Sequence, residues 1–165
     1  MKTENEDKLR KQIKNLIILF IVGLAISGIT AFPIESELAI VNANTSSFPD
    51  YFQNWINEVY LAVKSTNENY PYLSYGTDWL AFAHIVIAVA FIGPVKDPVK
   101  NIWVIQFGMI ACVMVFPLAF ISGAIRGIPL YWQLIDCSFG VFGIALLYLC
   151  HRWILRLEKI LQRKN

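Results

Sequence analysis

The sequence has little charge. Asp, Glu, Lys and Arg make up 16% of its 165 residues, whereas about a quarter of an average soluble domain is charged. Hydrophobic residues make up 56%, and the mean hydropathy is +0.51. This balance speaks against a soluble globular protein and is typical of a polytopic membrane protein.

Cysteine and histidine are also scarce. The three cysteines, Cys112, Cys137 and Cys150, all lie in apolar runs and form no C-x-x-C motif, so neither a redox motif nor a zinc cluster is indicated. We expect them to act as small buried hydrophobes. The two histidines, His84 and His151, fall near opposite faces of the expected membrane segment. The sequence therefore predicts no metal site, and no motif identifies a cofactor.

Four apolar runs approach the roughly 20 residues needed to cross a bilayer. They are residues 16–32, 79–95, 102–122 and 128–150. The first resembles a signal peptide in its basic start, but its length favours a retained helix. The sequence thus predicts an all-α fold: a polytopic membrane protein whose residues 1–165 form one four-helix transmembrane domain.

The basic residues predict the orientation, because Lys and Arg accumulate in short cytoplasmic segments. All but two of the 14 basic residues precede helix 1, lie between helices 2 and 3, or follow helix 4. Only Lys64 and Arg126 fall on the other side. Both termini are therefore expected in the cytoplasm, with the chain in the cell inner (plasma) membrane. The basic runs are interpreted as insertion determinants, so no nucleic-acid partner is predicted.

The long segment between helices 1 and 2 needs structure of its own. Within residues 48–64 the apolar side chains recur at helical spacing, with polar residues largely opposite. We expect an amphipathic helix that lies on the outer membrane surface or covers the bundle, since its apolar face has nothing else to cover. The polar run after Lys64 is expected to connect it to helix 2.

Two ionisable residues lie inside predicted spans, among small residues that favour close helix packing. His84 would lie about 9 Å and Asp136 about 12 Å from the outer surface, at a rise of about 1.5 Å per residue. Charged groups at such depth are costly and generally functional. If helices 2 and 4 are neighbours, an Asp136–His84 hydrogen bond would form a catalytic acid–base pair.

Further polar residues gather at the outer end of the predicted bundle. Glu35 follows helix 1, Asp78 precedes helix 2, and Arg126 is the only basic residue in the short outer loop. Trp132 falls at the outer membrane boundary, and Gln133 shares a helix face with Asp136. We predict that these five residues contribute to ligand binding, although a charge like that of Glu35 is more often a solvated loop charge, and an ion pair with an acid would explain Arg126 about equally well.

Two main hypotheses for function follow from this pattern. In the first, a polar pocket near the extracytoplasmic side binds or converts a lipophilic small molecule from the outer leaflet. In the second, the chain is a non-catalytic accessory subunit that assembles with another membrane protein or with itself, because small-residue stripes also serve association. Ion conduction is a third possibility with little polar lining to support it. Whether the chain is an enzyme stays open, as no nucleophile lies beside Asp136.

Overall fold

The computed structural model describes the backbone of residues 2–163 and the side chains of residues 5–163; Lys164, one of the basic residues used to predict orientation, and the side chain of Lys2 lie outside them. The described chain is helical and contains no strand, which confirms the all-α class. Its helices are α1 Lys2–Ala31, α2 Ile34–Ala43, α3 Asp50–Asn69, α4 Pro71–Ala90, α5 Ile92–Lys96, α6 Ile102–Ile125 and α7 Leu130–Gln162.

Four segments in the described chain are long and apolar enough to cross a membrane, one at each predicted position. They are Asn5–Ala31, Pro71–Lys96, Ile102–Ile125 and Leu130–Gln162. The helices extend beyond the predicted apolar runs because hydropathy marks only the apolar part of a helix. In α7 the polar-looking extension packs as well, since Ile154 and Leu157 are fully buried.

The chain divides into two compact units, and each is described by itself. One unit combines Met1–Val22 with Ala88–Asn165, and the other is Gly23–Ile87. We call them the terminal unit and the central unit. The single domain expected for residues 1–165 stays a prediction.

In the terminal unit, α6 packs along α7. The contacts run in opposite directions along the two helices: Gly108 lies against Leu147, Cys112 against Gly140 and Gly143, and Gly123 against Gln133. The pair is therefore antiparallel, as its short connection requires. The largest fully buried side chains of this unit are Ile13, Ile17, Phe91, Pro94, Ile105, Leu147, Cys150, Ile154 and Leu157.

The central unit contains α2, which the sequence did not indicate, and α3, which extends the expected amphipathic helix. Residues after Lys64, expected to be a polar connection, are helical in both α3 and α4. Helix α3 ends where Tyr70 leaves helical geometry with φ −141° and ψ 56°. Pro71 can then begin α4, because the first residue of a helix needs no backbone N–H donor.

Candidate ligand-binding cleft

The turn between α6 and α7 brings the ends of the two helices together. Gly127 has φ +69°, a left-handed conformation that glycine adopts without strain. The N–H of Ile128 donates to the carbonyl of Gly123 at 2.9 Å, and that of Gly127 donates to Ala124 at 3.4 Å. This is the Schellman pattern of a helix C-terminus. It reverses the chain within a few residues, so that Arg126 lies close to the first turns of α7.

A cleft of about 280 Å³ lies beside this turn. Its lining combines polar and apolar side chains: Val115, Leu118, Ala119, Ser122, Gly123, Arg126, Ile128, Gln133 and Asp136. Three of the predicted site residues, Arg126, Gln133 and Asp136, therefore lie on one cleft. Arg126 comes from the end of α6, whereas the other two project from the beginning of α7.

Gln133 forms part of the inner wall of the cleft. It is 6% exposed, and its side-chain Nε2 donates to the carbonyl of Ile128 at 2.7 Å. A methyl group added to Gly123 would lie 2.6 Å from Gln133 Cδ, so this approach requires glycine. Gln133 thus holds the turn against α7, a positioning role in addition to its predicted contact with a ligand.

Arg126 and Asp136 are exposed on the cleft. Within the described part of the terminal unit neither side chain forms a hydrogen bond or an ion pair, and so the two charges do not satisfy each other. An acid in the apolar part of a helix is costly unless something compensates it. The cleft therefore offers a carboxylate and a guanidinium for a molecule bound between them.

His84 lies on α4 in the central unit and is half-buried. Its ring Nδ1 is 2.8 Å from the carbonyl oxygen of Leu80. Because a carbonyl only accepts, Nδ1 carries the proton, and in the neutral ring Nε2 then has the free lone pair. This tautomer suits a general base, but the Asp136–His84 hydrogen bond stays a prediction because the two residues belong to different units.

Glu35 takes part in a polar cluster of the central unit. Asn67 on α3 donates from Nδ2 to Glu35 Oε2 on α2 at 2.6 Å, and Ser74 on α4 donates to Asn67 Oδ1. The cluster thus links three helices. Asn67 and Ser74 were not predicted from the sequence, because both lie in a run whose polarity suggested a connection. Their spacing, three and four residues from the break at Tyr70, was the available signal.

Asp78 and Trp132 are half-buried on α4 and α7. Neither lines the cleft, so their predicted role in binding stays a prediction. A further polar contact, between Gln106 on α6 and His151 on α7, joins Nε2 to Nε2 at 3.5 Å. Among the described side chains no three His, Cys, Asp or Glu residues are grouped closely enough to hold a metal ion.

Comparisons with family models, with curated proteins and with solved structures found no match to this chain. The cleft and its residues are therefore interpreted from their own geometry and chemistry.

Proposed function

We propose that this protein binds the polar end of a lipophilic small molecule in the cleft between α6 and α7. In the proposed topology both termini are cytoplasmic, the chain lies in the plasma membrane, and the cleft opens toward the extracytoplasmic side. The observation that carries the proposal is the presence of Arg126 and Asp136 on one cleft without an ion pair between them.

The lining of the cleft suits an amphiphilic ligand. Val115, Leu118 and Ile128 provide apolar surface, while Ser122 supplies a hydroxyl group. A ligand that carries both a donor and an acceptor would satisfy Asp136 and Arg126 together. Apolar walls with few polar groups are the usual composition of small-molecule sites.

The size of the cleft indicates that it would enclose only part of a drug-sized ligand. Its volume of about 280 Å³ is at the lower end of the roughly 300–1,000 Å³ that encloses a drug-sized molecule. A polar group with a short apolar portion would fit inside. The rest of a larger lipophilic molecule would lie against the exposed apolar surface of α6 and α7, which includes Leu118 and Phe139.

Conversion of the ligand would require His84 as well. In that case His84 Nε2 would remove or deliver a proton while Asp136 orients the ring or stabilises its charged form. Ser138, the nearest hydroxyl along α7, donates to the carbonyl of Ile135 at 2.6 Å and offers no nucleophile to the cleft. Binding is therefore the first function to test, and acid–base catalysis the second.

The test is the recovery of lipophilic molecules from purified protein. Wild-type protein, Arg126→Gln and Asp136→Asn would be purified in mild detergent, extracted with organic solvent and compared by mass spectrometry. We expect a molecule that copurifies with wild type and falls at least tenfold in both variants, because each loses a charged contact with the ligand. Ser138→Ala is the control, since Ser138 lies on α7 without lining the cleft.

Melting temperature separates loss of binding from loss of folding. Both charged side chains are exposed, so the variants should differ from wild type by no more than the stabilisation that the ligand provides. Retention of the same molecule by Arg126→Gln and by Asp136→Asn would contradict the proposal. If the acid–base hypothesis also holds, His84→Ala should abolish turnover of the recovered molecule and the double change with Asp136→Asn should add little.

The lack of a partner for Asp136 among the described residues of its own unit also favours a second candidate function, that of a non-catalytic assembly subunit. A basic group from another chain, or from a second copy of this one, would then compensate the carboxylate. Native mass spectrometry would detect this as an oligomer or a complex that dissociates in Asp136→Asn. A monomer that retains a small molecule would favour the binding function instead.

A further inference from the structure

A second cleft, of about 240 Å³, lies in the terminal unit between α1 and the region of α5. Its lining contains Arg10, Lys11, Ile13, Lys14, Pro94, Val95, Lys96 and Pro98. All four charged residues in this lining are basic. The three non-polar residues with the least exposure, Ile13, Pro94 and Pro98, are buried and form its floor. We call it the basic cleft.

The wall of the basic cleft is held by a network of hydrogen bonds. The side-chain Nδ2 of Asn101 donates to the carbonyls of Gly93 at 3.2 Å and Asp97 at 2.8 Å. The N–H of Asp97 also donates to the carbonyl of Gly93 at 3.0 Å. These bonds fix α5 and the turn that follows it, so Lys96 and the two prolines keep their positions beside α1.

The positive charge of the basic cleft is largely uncompensated. Arg10 is paired with Glu6 at 3.0 Å, and the nearby acid Asp97 is paired with Lys100 at 3.5 Å. Lys11, Lys14 and Lys96 form no ion pair with any residue that the structure describes. The basic cleft therefore presents three ammonium groups that are not paired with any described acid.

The sequence places this cleft at the boundary of the membrane. Lys14 lies two residues before the apolar run 16–32, and Lys96 lies directly after the run 79–95. The phosphate groups of lipids occupy this depth, and basic pockets there bind anionic headgroups. The exposed lysines would contact a phosphate, while the half-buried Val95 and the aliphatic stems of the lysines would contact the apolar part of the same molecule.

We propose that the basic cleft binds one anionic phospholipid through its phosphate headgroup. The ligand chemistry is a phosphate ester, and the position of the cleft at the membrane boundary, with the half-buried Val95 in its lining, favours a lipid over free phosphate as its source. This site is separate from the cleft at Arg126 and does not depend on the function proposed there.

The test is lipid titration of the full-length protein in a neutral detergent, followed by native mass spectrometry. The probes are phosphatidylglycerol, phosphatidylcholine and inorganic phosphate. Wild type should bind one phosphatidylglycerol more tightly than phosphatidylcholine. In the double variant Lys14→Gln/Lys96→Gln this affinity should fall about 30-fold, because each basic residue near an anionic surface contributes about fivefold.

The matched control is Arg156→Gln/Lys159→Gln, which removes two exposed basic residues of α7 that lie outside the cleft. It lowers the net charge by the same amount and should leave binding within about twofold of wild type. Equal weakening in both double variants would show general attraction to the basic end and would overturn the proposal. Displacement of the lipid by an equal concentration of inorganic phosphate, or equal affinity for phosphatidylcholine, would also overturn it.

Discussion

Two helix pairs in this protein are held together by different means. Helices α6 and α7 approach through glycines, and a methyl group added to Gly140 would lie 2.8 Å from the backbone oxygen of Cys112. Helices α2 and α3 are joined by polar side chains, with Asn42 donating to Asn57 at 3.2 Å and Asn67 donating to Glu35 at 2.6 Å.

The difference follows the surroundings that the sequence predicts for each pair. Inside a bilayer, exclusion of water contributes nothing to helix association, so close packing of small residues is required. Helices α2 and α3 are not among the candidate spans, and there amide and carboxylate groups can join helices. Added volume should therefore disrupt the first pair, and loss of a hydrogen bond should weaken the second.

The largest effect is expected from Gly140→Ala. The added methyl group would collide with the backbone of Cys112, which cannot move without shifting α6. Such overpacking costs about 1–3 kcal/mol. The melting temperature in detergent should fall by several degrees, whereas Gly23→Ala, where the new methyl group would meet no atom of another helix within 4 Å, should not lower it. Equal melting temperatures for both variants would show that α6 and α7 do not depend on close approach.

An intermediate effect is expected from Asn67→Ala in the central unit. The change removes the bonds that link Glu35 on α2 and Ser74 on α4 to α3. We expect a total loss of about 1 kcal/mol, because each of the two part-buried hydrogen bonds contributes about 0.5 kcal/mol, the low end of the usual range. Hydrogen exchange of α2 should increase. The control is Asn69→Ala, because Asn69 bonds only to Ser65 of its own helix. A greater effect of Asn69→Ala would contradict the linking role of Asn67.

The sequence predicts the α6–α7 pair better than the α2–α3 pair. Long apolar runs identify spans, and a short connection forces neighbouring helices to be antiparallel, which also brings Arg126 and Asp136 toward one cleft. Helix α2 was not predicted, because the apolar residues in its ten-residue sequence show no helical periodicity that would distinguish it from a loop. The polarity of Asn67 and Ser74 suggested solvent, since partners 32 and 7 residues away cannot be identified from one sequence. The relation of His84 to Asp136 likewise depends on tertiary arrangement.

The smallest effect on stability is expected from a change at Asp97. This residue lies in the turn between α5 and α6, which is held by polar contacts rather than by glycine packing. The backbone N–H of Lys100 donates to its carboxylate at 3.1 Å, and this bond, aided by the Lys100 charge, lowers the pKa of Asp97 below its usual 3.8. A lowered pKa in the folded state stabilises the protein above the unfolded pKa, and this contribution disappears as pH falls through the folded pKa. Exposed ion pairs contribute about 0–1 kcal/mol.

Asp97→Asn should therefore lower the melting temperature slightly at pH 7, and the difference from wild type should shrink below about pH 4. Lys100→Gln removes the ammonium group but keeps the backbone N–H, so most of the pH-dependent difference should remain in this variant. Melting curves measured at several pH values would distinguish the two causes. If Lys100→Gln abolished the difference completely, the charge rather than the backbone hydrogen bond would control Asp97. The turn at Asp97 would then be stabilised mainly by its exposed ion pair with Lys100.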